Sequence, residues 1–208
     1  MITIIDYGAG NMRSVFNAIT TLGYQTRVTS SPGDVLAAEA IILPGVGAAG
    51  DAMENLETSG LITPLRLFIE NNRPFLGICV GMQLLFTYTE EGKGQQCLDI
   101  IPGQVHRLSP GVKIPQIGWN QVNQRSYHPI FDGIPNRSNF YFAHSYHASP
   151  NNESLVIGET EYGIPICSVI ARGNLVATQF HPEKSGEVGL KLYDNFIKLA
   201  LANRVFDI

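Results

Sequence analysis

The first eighty residues alternate short apolar runs with segments whose apolar side chains recur at helical spacing. The apolar runs that predict strands are residues 2–5, 25–29, 40–43 and 74–76. The segments that predict helices are residues 12–22, 47–56 and 61–71. Regular β–α alternation of this kind favours an α/β fold with a mainly parallel central sheet flanked by helices.

The second half of the chain has shorter apolar pieces, separated by Gly, Pro and Asn turns. These pieces are residues 112–117, 139–142 and 155–157. Residues 166–171 and 175–180 flank Arg172-Gly173-Asn174, which predicts a β-hairpin. A final helix is predicted over residues 187–202, and a flexible surface loop at residues 93–96. Because no linker or repeat interrupts the pattern, we expect one α/β domain over residues 1–208 with an antiparallel extension.

Composition narrows the possible functions. The 208 residues are 44% hydrophobic and 15% charged, with a net charge of −4 and scattered basic residues, which argues against nucleic-acid or anionic membrane partners. No apolar run is as long as a membrane span, and the N-terminus enters a strand pattern without a basic leader. The cysteines Cys79, Cys97 and Cys167 fit neither a disulfide framework nor a zinc site, so a reducing, cytoplasmic setting is expected.

The run Gly-Ile-Cys-Val-Gly at residues 77–81 places Cys79 on a sharp turn between a predicted strand and a helix predicted over residues 82–86. Such an elbow exposes its central residue at the sheet edge in a strained conformation. The helix start, with its free N–H groups and macrodipole, would favour the reactive thiolate. The alternative is a buried structural cysteine between two packing glycines.

A cysteine nucleophile needs a base, a group that orients the base, and donors for an oxyanion. His181 ends a predicted strand, and Glu183 could fix its tautomer; His144 is the main rival for the role of base. His147 lies close to this rival, whereas His106 and His128 are interpreted as surface or core residues.

A second glycine-rich turn, Pro-Gly-Val-Gly at residues 44–47, could direct backbone N–H groups at the oxyanion, and the N–H of Val80 would supply the other donor. The loop at residues 8–13 lacks the third glycine of a dinucleotide-binding motif. No residues have metal-ligand spacing, so neither a cofactor nor a metal is predicted.

Taken together, these features resemble the class I glutamine amidotransferases over almost the whole chain, as far as His-Pro-Glu-Lys-Ser at residues 181–185. More narrowly, the chain is similar to the glutaminase subunits of imidazole glycerol phosphate synthases. The stretches that carry this similarity are residues 6–11 (Asp-Tyr-Gly-Ala-Gly-Asn), 44–47, 117–120 (Ile-Gly-Trp-Asn) and 141–146 (Tyr-Phe-Ala-His-Ser-Tyr). Residues 93–99 depart from that family's usual Gly-Leu-Gly-Leu pattern, at a place expected to lie away from the catalytic residues.

The resemblance implies a catalytic triad of Cys79, His181 and Glu183, acting on glutamine. The residues implied in substrate binding are Gly45, Val46, Gly47, Val80, Gln83, His144, Ser145 and Tyr146. It also implies a heterodimer with a (β/α)8-barrel cyclase subunit, which would receive ammonia through a channel and make imidazole glycerol phosphate in histidine biosynthesis. Our candidates for the partner-facing side are Asn11, Trp119, Tyr141 and Lys184, although Trp119 could instead be a core aromatic.

Three other interpretations stay open at this point. The chain could be a stand-alone Cys-dependent peptidase or γ-glutamyl hydrolase. It could supply ammonia to a paralogous acceptor synthase. It could also be a non-catalytic regulatory module that has kept the fold, although the presence of Cys79, His181 and Glu183 together argues against this.

Overall fold

The computed structural model describes residues 1–8 and 11–202, so Ala9 and Gly10 of the stretch at residues 6–11 lie outside the described residues. The helices are α1 Met12–Thr21, α2 Pro32–Ala37, α3 Ala49–Thr58, α4 Ile62–Glu70, α5 Val80–Gln83 and α6 Gly186–Ala202. The first strands are β1 Ile2–Ile5, β2 Thr26–Thr29, β3 Ala40–Gly45, β4 Phe75–Cys79, β5 Phe86–Thr89, β6 Gln95–Gln96 and β7 Ile101–Arg107. The later strands are β8 Gln116–Gln124, β9 Ser138–His144, β10 Tyr146–Pro150, β11 Val156–Glu161, β12 Pro165–Arg172 and β13 Leu175–Thr178.

The central sheet begins with a parallel half in the order β2-β1-β3-β4-β13. Strands β1, β3 and β4 are buried at every position, as expected of parallel strands covered on both faces. Helix α1 packs against α6, and α2 packs against α4. The α/β class predicted from the sequence is therefore confirmed. No helix in residues 1–8 and 11–202 is long and apolar enough to cross a bilayer.

The antiparallel extension continues the same sheet through β12, β11, β8 and β9. The hairpin predicted around Gly173 is present as β12 and β13, and Gly173 has the positive φ of 57° that its turn requires. A separate small sheet, in the order β10-β7-β5-β6 within the described residues, was not foreseen from the sequence. This small sheet lies beside the central sheet, because β10 contacts β12.

The prediction of a helix over residues 82–86 is wrong. Helix α5 is one turn long, Val80–Gln83, and Phe86 already begins strand β5. The carbonyl oxygens of Leu84 and Leu85 accept hydrogen bonds from Leu98, Ile100 and Ile101, on a segment that crosses the chain there. These long-range bonds take the acceptors that a continuing helix would use, so the helix ends.

Two other local predictions need correction, and one helix was missed. Within the predicted loop at residues 93–96, Gln95–Gln96 forms β6 and pairs with β5. In the predicted piece at residues 112–117, the strand starts only at Gln116. Helix α2 was not predicted, although Ser31 caps it, accepting from the N–H of Asp34 at 3.5 Å, with a proline at the helix start.

Two backbone segments approach each other so closely at the elbow that only glycine fits. A Cβ added to Gly81 would overlap the carbonyl oxygen of Leu43, at the end of β3. A Cβ added to Gly45 would lie 2.5 Å from the backbone nitrogen of Gly81. The short helix α5 is therefore fixed against the end of β3 by backbone contact.

Replacing Gly81 with alanine tests this contact. Because the added methyl group meets backbone that cannot rotate away, we expect Gly81→Ala to lower the free energy of unfolding by about 3 kcal/mol in urea denaturation. The matched control is Gly33→Ala in helix α2, where the nearest atom to an added Cβ is 3.8 Å away. That change should raise stability by about 0.5–1 kcal/mol, since alanine favours the helix. Equal effects of the two substitutions would contradict the proposed close approach.

Candidate active site

Cys79 occupies a strained elbow between β4 and α5. Its φ is 54°, which is unusual for a residue with a side chain and matches the elbow predicted from the sequence. Its side chain is not exposed as predicted, because the residue is only 3% accessible and lines a pocket. Because α5 is a single turn, it has little summed helix dipole. The free N–H groups at its start are therefore the main means by which this helix could stabilise negative charge.

His181 and Glu183 lie in the segment that follows β13. The side chain of His181 interacts with that of Cys79, and its Nδ1 lies 2.8 Å from Oε1 of Glu183. Oε2 of Glu183 accepts from the hydroxyl of Tyr193 in α6 at 3.4 Å. The structure thus brings Cys79 together with His181 and Glu183, which lie far along the chain from it.

The charges around His181 favour its protonated form. Burial lowers the pKa of His181, but the hydrogen bonds and negative charges of Cys79 and Glu183 outweigh burial and raise it to about 9. Glu183 is almost completely buried, with a side chain 1% exposed, so its charge acts through a low dielectric. A protonated imidazole in this position can give a proton to a leaving group.

His144, the rival base, has its ring nitrogens engaged elsewhere. Nδ1 lies 2.9 Å from the carbonyl oxygen of Tyr146, and Nε2 lies 3.0 Å from Oε1 of Gln116. Burial lowers the pKa of His144 to about 4, with a smaller opposing effect from the Tyr146 carbonyl. A neutral ring held in this way supports the turn between β9 and β10, and His181 is the candidate base.

A cavity of about 340 Å³ opens in front of Cys79. Most of the predicted substrate-binding residues line it, namely Val46, Gly47, Val80, Gln83, His144, Ser145 and Tyr146. Gly45 does not line the cavity; it ends β3 and pairs in register with Cys79. This volume lies at the lower end of the roughly 300–1,000 Å³ typical of small-molecule sites, which suits a small ligand.

The sequence interpretation missed several residues in and around this site, three of which have polar side chains. Glu91 lines the cavity, and its Oε2 accepts from the N–H of Ala49 at 2.6 Å, at the start of α3. The segment after β5 therefore reaches the site at Glu91, whereas none of residues 93–99 lines the cavity. Gln179 is fully buried against the sulfur of Cys79. No spacing pattern indicates either residue, although Gln179 directly precedes the Phe180–His181 pair.

Tyr7 is the third missed residue. Its hydroxyl is buried, and among the described residues it has no hydrogen-bond partner. A Cβ on Gly45 would lie 3.0 Å from that hydroxyl, and burial together with the charge of Cys79 raises the pKa of Tyr7. Tyr7 therefore packs behind the second glycine-rich turn.

An exposed apolar patch lies beside the cavity mouth. Ile117 and Trp119 are 64% and 57% exposed and point to the same side of strand β8. Trp119 packs edge-to-face on Tyr141 at 6.0 Å, and the Nζ of Lys184 lies 5.8 Å from the centre of the Tyr141 ring. Trp119 is thus not a core aromatic. Asn11 directly precedes α1, and this helix packs against the turn Pro182–Lys184.

Comparison with known proteins agrees with this fold and site. The family model described as "Glutamine amidotransferase class-I" matches residues 3–199. The crystal structure of a glutamine amidotransferase from Thermotoga maritima superposes with a TM-score of 0.62 at 20% identity, covering 99% of this chain and 85% of that one. The fold and the family model together define a class-I glutamine amidotransferase domain.

Curated relatives narrow the class. The imidazole glycerol phosphate synthase subunit HisH of Dehalococcoides mccartyi is 54% identical over 98% of this chain and 100% of its own length. The protein of the same name from Moorella thermoacetica is 50% identical over 95% of this chain and 94% of its own length. The chain belongs to this HisH family of amidotransferase subunits.

The charge state of His181 can be measured directly. We expect the ring protons of His181 to titrate near pH 9 in NMR spectra. Glu183→Gln should lower that midpoint by about one unit or more, because the carboxylate that stabilises the imidazolium is lost. His128, whose pKa is lowered chiefly by burial and which contacts neither group, serves as the internal control and should not move. A wild-type midpoint for His181 below 6.5 would contradict the paired imidazolium.

Proposed function

We propose that this chain is the glutaminase subunit of an imidazole glycerol phosphate synthase, which releases ammonia from glutamine for a cyclase partner. The observation that carries the proposal is the buried Cys79–His181–Glu183 cluster at the base of a cavity that fits an amino acid. The full-length similarity to HisH proteins supports the assignment of the partner reaction. We further propose that residues 1–208 act as one domain in the cytoplasm, in keeping with three free cysteines.

Catalysis begins with attack of the Cys79 thiolate on the side-chain amide carbon of glutamine. The imidazolium of His181 gives its proton to the amide nitrogen, so ammonia leaves and a glutamyl thioester remains. His181 then takes a proton from water, whose oxygen attacks the thioester, and glutamate and the free thiol are released. Glu183 holds the ring orientation and stabilises its positive charge through both half-reactions.

The developing oxyanion is proposed to be bound by backbone N–H groups of Val80 and Val46. Val80 follows the nucleophile at the helix start, and Val46 lines the same cavity from the second glycine-rich turn. Each donor aimed at the oxyanion contributes about 3–4 kcal/mol to the transition state. Rotation of the Gly45–Val46 peptide would therefore change the rate by roughly two to three orders of magnitude, which offers a means of coupling hydrolysis to the partner's state.

The remaining cavity wall fits the amino-acid end of the substrate. The free oxygen of the Glu91 carboxylate can accept from the α-ammonium group. The backbone at Ser145 and Tyr146 can bind the α-carboxylate, and Gln83 lies one turn beyond the nucleophile. Recognition of both charged groups would favour free glutamine over a peptide, which disfavours the stand-alone peptidase interpretation.

The exposed patch of Ile117, Trp119, Tyr141 and Lys184 is the proposed contact with the cyclase, a (β/α)8 barrel in a heterodimer. Exposed apolar and aromatic side chains beside a cavity mouth are typical of partner surfaces. Ammonia released at Cys79 would leave next to this patch. We place Asn11 at the edge of the same interface.

Loss of the nucleophile should abolish the glutaminase reaction and leave the cyclase reaction intact. With the purified cyclase, Cys79→Ala should reduce glutamine-dependent product formation by at least about 10⁴-fold, while ammonia-dependent formation persists. The control is Cys167→Ala, which removes another buried thiol that does not line this cavity and should leave both activities intact. Glutamine-dependent turnover that survives in Cys79→Ala would show that the nucleophile is assigned incorrectly.

Truncation of the exposed tryptophan should weaken partner binding. We expect Trp119→Ala to raise the dissociation constant for the cyclase about 30-fold, as loss of a central aromatic worth roughly 2 kcal/mol would do. Tyr127, which is 83% exposed and follows the far end of β8, provides a matched aromatic control. Titration calorimetry should find Tyr127→Ala unchanged within about twofold. Similar affinities of the two variants would place the interface elsewhere.

A further inference from the structure

A chain of hydrogen bonds runs from Tyr146, in the cavity wall, to the sulfur of Cys79. Nε2 of Gln83 donates to the carbonyl oxygen of Tyr146 at 2.9 Å and to Oε1 of Gln179 at 3.1 Å. Nε2 of Gln179 in turn donates to Sγ of Cys79, with a separation of 3.7 Å. The turn after β9, the start of helix α5 and the end of β13 are therefore linked through two amide side chains.

The direction of this chain is fixed by its first member. A backbone carbonyl can only accept, so Gln83 must present its nitrogen to Tyr146. The same nitrogen reaches Gln179, which must therefore present its oxygen. This leaves the N–H₂ group of Gln179 facing the sulfur, and a reversed amide would put two donors together at the Gln83 contact.

Strand pairing places the backbone of Gln179 next to Cys79. Strand β13 pairs with β4 so that Thr178 is opposite Ile78, which places the next residue, Gln179, beside Cys79. The N–H of Gln179 donates to the carbonyl oxygen of Ser168 on β12 at 2.9 Å. The residue is completely buried, so water does not compete for its amide group.

We propose that Gln179 is a positioning residue that donates a hydrogen bond to the sulfur of Cys79 and stabilises its thiolate. Gln83 and the carbonyl of Tyr146 fix the direction of that donor. A hydrogen bond to a charged acceptor is roughly twice as strong as one to a neutral acceptor, so the amide favours the thiolate over the thiol. The inference rests on the proposed role of Cys79 as nucleophile. It connects the position of Tyr146, in the cavity wall, to the reactivity of Cys79.

The test is the pH dependence of alkylation of Cys79 by iodoacetamide, read by peptide mass spectrometry on the full chain. Gln179→Met keeps the length of the side chain but removes the donor. We expect the alkylation profile to move to higher pH by about one unit, because the thiolate loses a hydrogen-bond donor. Cys97 and Cys167 should stay unlabelled at pH 7, because burial raises the pKa of Cys97 to about 11 and also raises that of Cys167.

The control removes a buried hydrogen bond that does not reach the sulfur. The hydroxyl of Ser168 donates to that of Thr160 at 2.7 Å, so Ser168→Ala should leave the profile unchanged. If Gln179→Met does not fold, Gln179→Glu keeps the shape while placing a carboxylate beside the sulfur, and the midpoint should again rise. An alkylation profile of a folded Gln179 variant that superimposes on the wild type would overturn the proposal.

Two further outcomes separate this inference from the proposed function. Alkylation needs neither glutamine nor the cyclase, so the profile reports on Gln179 even if the glutaminase assignment fails. Gln83→Met should shift the midpoint in the same direction but by less than Gln179→Met, because the amide of Gln179 then loses the partner that fixes it. If the alkylation profile of Gln83→Met does not move, Gln83 and Tyr146 do not fix the direction of the Gln179 amide.

Discussion

Close backbone contact at the carboxyl edge of the parallel sheet is the constraint on which the site depends. Strands β3, β4 and β13 end there in register, with Gly45 opposite Cys79 and Thr178 opposite Ile78. The approach of Gly81 to Leu43 fixes the elbow, and so the direction of the sulfur. Because hydrogen-bonded strands cannot slide independently, groups carried at their ends keep their separation to a fraction of an ångström.

Electrostatics act on this fixed geometry. A carboxylate, an imidazole and a thiol share a space from which water is largely excluded, so each charge is stabilised chiefly by its neighbours. Glu183 has contacts to both of its oxygens, from His181 and Tyr193. Such a cluster holds charge where the chemistry needs it, whereas a solvent-exposed pair would be screened.

The antiparallel extension and the small sheet supply what the parallel half lacks. The turn between β9 and β10 forms the wall that faces Cys79. Gln116 and Tyr146 hold the ring of His144, which burial keeps neutral. Strand β8 carries the exposed Trp119 to the mouth of the same cavity. The cavity wall and the exposed Trp119 therefore lie on the neighbouring strands β9 and β8, near Cys79.

Local pattern in the sequence determined the α/β class, the elbow at Cys79 and the pairing of His181 with Glu183, because each depends on residues close together along the chain. It failed at residues 82–86, where apolar residues suit a helix and only the crossing segment at residues 98–101 takes their carbonyl groups. Glu91 and Gln179 likewise escaped prediction. Their roles come from contacts between strands far apart in sequence, and periodicity carries no information about such contacts. Tertiary structure alone decided them, because strand register and hydrogen-bond direction are properties of the assembled sheet.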